Sequence, residues 1–515
     1  MLSHQINQEE ETSFLGSVYE TIKEELCQLR WLVLFVACFL TFGSYYTFDF
    51  PSSFGMGSGH TIEQYFHQHG KVYTQTMNQM LYSVYSWPNT VLSIVGGLLI
   101  DKYLGIRVAM ILFMSLIVFG SFLFWLGLHY TFFPLMVAAR VIFGLGGESL
   151  SIAQSAYVAR WFKYGRGMAL AFGITISFSR VGSSFNFLFS PKIAAAYGVE
   201  AAALAGVVAC AVSLVSCAFL VMADVYAVQT GYVRTDQQEF DEEETMKLSD
   251  VRYLPSAYWL LTIICVFAYT SIFPFIGIAK NFFEVKYNYD EVTAAEYVSA
   301  YQLSSAVGSP IVGFIVDLVG RNTFWLVIAI LCIILIHVLF VVATVPGMTM
   351  MIVLGVVYSF LVSGLWPSIP LTVRGNMVGF SYGIMTSVQN IGLAAFPVVV
   401  GYILDKYSPR SEGVTLSKLL ALPRTYPMSG GSGNSGEPGP IPDLEGYVLT
   451  EFLFIGSGVV ALLTALVLLV LDIRNRGLLS LSSSERLKAR NKKQDALLDY
   501  LPEEERDLIY LHRDD

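Results

Sequence analysis

Twelve long apolar runs, divided by short charged connections, constrain this chain more than any other feature. A helix crosses the ~30 Å hydrocarbon core of a bilayer in roughly 20 residues, and these runs reach or approach that length. Inside lipid no water is available to the backbone, so a spanning segment satisfies its own polar groups as a helix. The composition agrees: 54% of the 515 residues are hydrophobic, 14% are charged, and mean hydropathy is +0.57. Ordinary soluble domains carry about 25% charged residues. The expected fold class is therefore an all-α integral membrane protein of twelve transmembrane helices, with the lipid bilayer as its main surroundings.

The runs lie near 30–50, 78–100, 106–128, 132–162, 167–190 and 199–223, then near 255–283, 294–319, 323–344, 349–373, 378–404 and 446–471. A charged stretch at 225–254 parts them into two sets of six. The expected organisation is a tail at 1–29, a six-helix bundle at 30–224, a central loop at 225–254, a second bundle at 255–472 and a tail at 473–515. Within the second bundle, 407–445 is rich in Ser, Gly and Pro and reads as a flexible loop. The first 29 residues are acidic and polar, so the first span itself is expected to direct insertion. Lys and Arg concentrate in alternate short loops (Lys102, Arg107, Arg160, Lys163, Arg166, Arg321, Arg474). Basic loops face the cytosol, which places both termini there. Lys71, Lys280 and Lys286 on the other side weaken the contrast.

Several function classes drop out. Net charge is −9 and the acids cluster at 9–11, 241–244 and 503–507, so no nucleic acid is expected as partner. No nucleotide loop, metal-ligand cluster or catalytic constellation is present in the sequence, which argues against an enzyme, a cofactor or a metal. The six cysteines form no CxxC pair and read as small apolar packers. No Asn-x-Ser/Thr acceptor occurs, so no N-linked sugar is expected on any loop.

Two charges interrupt the apolar runs at depth. Glu148 lies roughly 24 Å along the fourth run and Arg180 roughly 20 Å along the fifth, at 1.5 Å per residue. A charge at the bilayer centre costs roughly 2.5–3.5 kcal/mol on insertion scales, so such residues face a cavity or a partner. The pair is either a set of substrate anchors or an ion pair that locks the first bundle. An Arg fork suits a carboxylate and a Glu suits a protonated amine, so a zwitterion such as an amino acid or short peptide would engage both. Tyr85, Asn89, Trp366 and Gln389 are candidates to line the same cavity, with packing between helices as the alternative for each. Asp49 and Lys280, near the non-cytosolic ends, are candidate gating residues or snorkelling side chains. His337, mid-run in the ninth span, reads as a satisfied packing histidine.

The two halves also share a motif. The second run ends Gly97-Leu-Leu-Ile-Asp101, with Arg107 following; the eighth ends Gly313-Phe-Ile-Val-Asp317, with Arg321 following. Each Gly is expected to allow close helix approach, and each Asp, at a helix C-terminus, to need a basic partner or a helix N-terminus. The eleventh run ends in another Gly-x-x-x-Asp, Gly401 to Asp405. This repeated pattern resembles the major facilitator superfamily. The resemblance implies two six-helix bundles, a central site near the midplane and alternating access by rocking of the bundles.

Further runs are similar to the lysosomal dipeptide-uniporter branch of that superfamily. They include Phe42-Gly-Ser-Tyr-Tyr, Tyr85-Ser-Trp-Pro-Asn, Phe143-Gly-Leu-Gly-Gly-Glu148, Ser179-Arg180-Val-Gly-Ser, Leu365-Trp-Pro and Ser387-Val-Gln-Asn. The resemblance implies small peptides as substrate, moved from lysosome to cytosol without obligatory proton coupling. Glu148 and Arg180 would hold the amino and carboxyl ends. It also implies a glycosylated accessory lysosomal membrane protein as partner, and a lysosomal or endosomal membrane as location, with the plasma membrane as alternative. In the tail, Glu504 followed by Leu508-Ile509 fits an endosomal or lysosomal sorting signal. The competing function on the same fold is a proton-coupled or facilitative carrier of amino acids, organic anions or sugars.

Overall fold

The computed structural model describes residues 29–57, 59–98, 104–162, 168–229, 248–373, 377–407, 444–475, 477–482, 484–486 and 488. Asp101 and the tail residues Glu504, Leu508 and Ile509 lie outside the described residues, as does nearly all of the loop at 407–445.

In the first half, α1 runs Leu29–Phe48. Two short helices follow, α2 (Phe50–Phe54) and α3 (Ile62–Gln68). Then come α4 (Gln75–Leu98), α5 (Gly105–His129), α6 (Phe133–Phe162), α7 (Met168–Tyr197) and α8 (Val199–Gln229). The second half contains α9 (Ser256–Tyr287), α10 (Glu291–Val319) and α11 (Asn322–Val342). It continues with α12 (Gly347–Thr372), α13 (Val378–Lys406) and α14 (Leu444–Arg474). Ten of these helices are long and apolar enough to cross a membrane by length and composition alone. The other two long helices, α4 and α7, line the central cavity with polar groups such as Gln79, Ser86, Arg180 and Ser183. Their lower apolarity therefore has a location.

Each half buries its own apolar core. In the second half the core is one continuous cluster from Leu254 to Leu479, which also takes in Phe187 of α7 from the first half. In the first half it is split into two clusters, one around Phe113, Phe143 and Trp161 and one around Phe50, Phe66 and Phe124. Arg140 of α6 sits between them, only 2% exposed, with its guanidinium over Phe124 (5.1 Å) and Phe143 (5.6 Å). Its Nη2 donates to the Phe48 carbonyl at 2.9 Å, where α1 ends. A guanidinium is weakly hydrated and stacks on rings, which suits it to this place better than a lysine.

The halves meet along α4 against α13 and α7 against α10. On the face opposite the start of α1 and the end of α14 the seam is closed by hydrogen bonds that cross between halves. Ser52 donates to the Ile276 carbonyl (2.6 Å), Gln79 to the Gly277 carbonyl (3.2 Å) and Ser83 to the Ala394 carbonyl (2.5 Å). Lys192 pairs with Glu296 at 2.8 Å. Both residues of the Gly401-x-x-x-Asp405 pattern act here on α4. A Cβ on Gly401 would lie 2.7 Å from the Thr76 Cα, and the Asp405 carboxylate accepts from the N–H groups of Gln75 (2.8 Å) and Thr76 (2.9 Å). An aspartate of one half thus caps a helix of the other.

Between α2 and α3 the chain lies directly on the second half. Gly57 has φ +113°, and a Cβ there would meet Glu284 and Asn281 at 2.2 and 2.4 Å. Only glycine takes that conformation freely while leaving room for the carboxylate. The His60 N–H donates to Glu291 (3.1 Å), and Lys280, 1% exposed, pairs with both Glu291 (3.1 Å) and Glu284 (3.4 Å). Lys280 thus sits inside the closed seam rather than snorkelling at its edge.

The repeated motif lies on the face where α1 begins and α14 ends. Gly97 lies at the end of α4, and Arg107 pairs with Asp224 of α8 at 2.5 Å, with Arg160 at 3.6 Å from the same carboxylate. In the second half, Asp317 lies near the end of α10 and Arg321 follows at φ +54°. The Arg321 N–H donates to the Leu481 carbonyl at 2.9 Å. Gly313 does not mark a tight crossing, because a Cβ there would come only within 3.7 Å of Ser363 Oγ.

Two outcomes test the seam. Losing a capping side chain costs about 0.5–2 kcal/mol, so Asp405→Ala is expected to favour opening of this face. Labelling of Ser86→Cys in the cavity, by an impermeant maleimide applied from that face, should then speed up several-fold; an unchanged rate would show that the cap does not hold the seam. The second outcome concerns Glu63 of α3, outside the spans. Burial, opposed by the Gly57 N–H and aided by the nearby carboxylates of Asp405 and Glu284, pushes its carboxyl up to about 7. Tyr73 and Tyr447 also face it, and Lys280 answers Glu284. A carboxyl raised in the closed arrangement disfavours closure only when ionised. Closure is then strongest below the ordinary pKa of 4.5 and weakens as pH rises through about 7. Divided by the rate for the same cysteine in denatured protein, which removes the thiol's own ionisation, the labelling rate should rise between pH 5 and 8, and Glu63→Gln should flatten that dependence.

Candidate substrate site

At mid-depth the halves enclose a cavity of about 340 Å³, within the size range of small-molecule sites, about 300–1,000 Å³. Its walls come from α1, α4, α6 and α7 of the first half and α9, α10, α12 and α13 of the second, with Asp49 from the α1–α2 junction. The outer helices α5, α8, α11 and α14 contribute no lining residue among the described ones. All three charged lining residues, Asp49, Glu148 and Arg180, belong to the first half.

Glu148 enters from α6 just after a glycine run. A Cβ on Gly144 would stand 2.6 Å from the Tyr85 carbonyl, and one on Gly147 would stand 2.3 Å from the Tyr85 hydroxyl. Each interior glycine weakens a helix by about 1 kcal/mol relative to alanine, but here it lets α6 press onto α4. That contact lays Tyr85 alongside Glu148, and both line the cavity. Arg180 enters from α7 and reaches across the seam. Its Nη1 donates to Ser305 Oγ of α10 at 3.0 Å, and its Cζ lies 4.6 Å from the ring centre of Tyr358 on α12. Among the described residues no ion pair joins Glu148 to Arg180. Tyr45 of α1 lines the cavity and interacts with both charges.

The second half presents an aromatic wall. Trp366, where α12 tightens into a 3-10 turn at Trp366–Ser368, donates from Nε1 to the Tyr269 hydroxyl at 2.9 Å and stacks on Tyr382 with centres 5.9 Å apart. Phe273 stacks on Tyr269 (5.3 Å) and meets Tyr358 edge-on (5.8 Å). Gln389 lines the cavity from α13. Of the residues singled out from sequence, Glu148, Arg180, Tyr85, Trp366 and Gln389 share this cavity. Asn89 does not reach it: the side chain is buried and donates to the Tyr85 carbonyl one turn back at 3.1 Å.

Several lining residues escape the sequence reading. Tyr45, Tyr82, Tyr269, Phe273, Tyr301 and Tyr358 are ordinary aromatics in apolar runs, and nothing in their spacing separates a wall from a core. Arg140 and Glu451 had a signal, since each is a charge inside an apolar run, as Glu148 and Arg180 are. Glu451 answers His337: Nδ1 lies 2.7 Å from Oε2, both side chains are buried, and neither lines the cavity. Asp49, at the break between α1 and α2, lies on the side of the cavity toward the closed seam, and its Oδ1 accepts from Tyr82 at 3.4 Å.

The arrangement is a chamber between two halves, closed on one face, with separated opposite charges and no partner for them in each other. Comparison with known proteins places it. The chain matches the Major Facilitator Superfamily over residues 30–397. The Danio rerio protein named lysosomal dipeptide transporter MFSD1 is 32% identical over 469 residues, covering 89% of this chain and 90% of that protein. Its Bos taurus namesake is 36% identical over 387 residues, covering 73% of this chain and 80% of that protein. Among solved structures, the nucleoside transporter NupG is similar with a TM-score of 0.57 at 13% identity, covering 84% of this chain and 99% of that one. A proton-dependent oligopeptide transporter is similar with a TM-score of 0.56 at 18% identity, covering 86% and 99%. These two likenesses speak for the fold alone. This multi-pass chain, with its paired six-helix halves and central cavity, belongs to the major facilitator superfamily.

Proposed function

We propose that this protein carries dipeptides across the lysosomal membrane to the cytosol as a uniporter, by alternating access. One observation carries the reading: a carboxylate and a guanidinium face one midplane cavity without neutralising each other. Glu148 holds the amino end and Arg180 the carboxyl end. A buried ion pair is often no net gain in stability, and these two groups are not even paired. A zwitterion with separated ends gives each its counter-charge; a sugar uses neither and a simple anion has no use for Glu148. The relatives named as lysosomal dipeptide transporters support the same substrate and membrane. The sealed face is then the luminal one, and the tails are cytosolic. A glycosylated accessory membrane protein belongs to this reading as shield, in keeping with the absence of any sugar acceptor in the chain itself. The sorting role of Glu504, Leu508 and Ile509 belongs to it as well.

Proteoliposomes with labelled dipeptide provide the test. Glu148→Gln and Arg180→Ala should each lower uptake at least tenfold, the scale expected when one partner of a desolvated charged contact is removed. Unchanged uptake in both would sink the site assignment. Uptake should persist with equal pH on the two sides; strict dependence on a pH gradient would replace uniport with symport.

A further inference from the structure

The two walls of the cavity differ in kind, and this difference bears on which dipeptides fit. The first half supplies every charged lining residue together with Tyr45, Phe48, Tyr82 and Tyr85, whereas the second half supplies Tyr269, Phe273, Tyr301, Tyr358 and Trp366 and no charge. Arg180 is the one charged side chain that bridges them, hydrogen-bonded to Ser305 and seated over Tyr358. A carboxylate held by Arg180 therefore lies at the edge of the aromatic wall. Glu148 is set among first-half groups instead, with Tyr85, Gly147 and Ser151 around it.

We infer that the aromatic wall of the second half is the side-chain subsite for the carboxyl-terminal residue of the dipeptide, and that it selects apolar and aromatic side chains there over small or cationic ones. The inference rests on the reading that Arg180 takes the carboxyl end. In a dipeptide the second side chain leaves from the carbon next to the carboxylate, so it cannot stray far from Arg180. The rings nearest that point form a connected set: Tyr358 meets Tyr269 at 5.9 Å and Phe273 at 5.8 Å, and Tyr269 meets Trp366 at 6.5 Å. Phe273 is the adaptable member. It is half-buried and lacks a hydroxyl, whereas Trp366 is tied by its N–H to Tyr269 and by its ring to Tyr382. Aromatic pairs gain from stacking beyond the area they bury. A cationic side chain would gain from the rings but would stand beside the guanidinium already over Tyr358. The first side chain leaves beside Glu148, among Tyr45, Phe48, Tyr82 and Tyr85, so Phe273 reads the second residue and not the first.

Binding to the purified full chain tests this, with Ala-Ala, Ala-Phe, Phe-Ala and Ala-Lys as probes. Ala-Phe should bind roughly tenfold more tightly than Ala-Ala, about the discrimination a hydrophobic pocket gives. It should also exceed Ala-Lys. Phe273→Ala should collapse the Ala-Phe to Ala-Ala ratio toward one while sparing the Phe-Ala to Ala-Ala ratio, and Phe273→Tyr should restore the first. Each ratio is read within one variant, so a loss of folded protein cannot imitate the effect. Equal falls of the Ala-Phe and Phe-Ala ratios in Phe273→Ala, or an Ala-Phe ratio untouched by that change, would overturn the subsite while leaving the anchors in place. No binding of any probe, or binding indifferent to Arg180→Ala, would overturn the dipeptide reading and the subsite with it.

Discussion

An ionised group at bilayer depth has to be surrounded by protein or by a water-filled cavity, and the structure is arranged around that requirement. Among the described residues, Arg140, His337, Glu451, Glu148 and Arg180 lie well inside the apolar lengths of these helices and meet it in three ways. Arg140 is sandwiched between rings. His337 and Glu451 answer each other within the second half. Glu148 and Arg180 face the central cavity. The first two solutions are internal to one half and need nothing else. The third leaves charge on a wall, which is useful only if something enters the cavity to meet it.

The cavity inherits the symmetry of the sequence repeat. First, second, fourth and fifth helices of each half line it, while third and sixth helices stay outside. Yet the repeat is one of backbone and not of chemistry. All three charged lining residues sit in the first half, while rings line the cavity from both halves.

What the sequence made legible follows from which signals are local. Hydropathy shows twelve runs because each helix carries its own record of the lipid. Glu148 and Arg180 stand out because a charge in an apolar run is conspicuous wherever its partner lies. The aromatic wall was not legible, since a ring facing a cavity and a ring facing a core look alike along one helix. Asn89 shows the reverse failure: a polar residue one turn from the lining residues Tyr85 and Ser86 reads like one that lines the cavity, but its side chain folds back onto its own helix. Gly401 and Asp405 were visible as a pattern, while the helix they act on, more than three hundred residues earlier in the chain, was not.

That last contact has a further meaning for order within α4. The first N–H groups of a helix have no partners of their own, and for α4 two of them are supplied by Asp405 across the seam. The end of this helix is therefore finished by the other half of the molecule. When the halves part on that face, the Gln75 and Thr76 N–H groups are left to water, while Met77 keeps its bond to the Thr74 hydroxyl. Exposure of those two amides is thus built into the opening stroke, and their exchange is a clock for it.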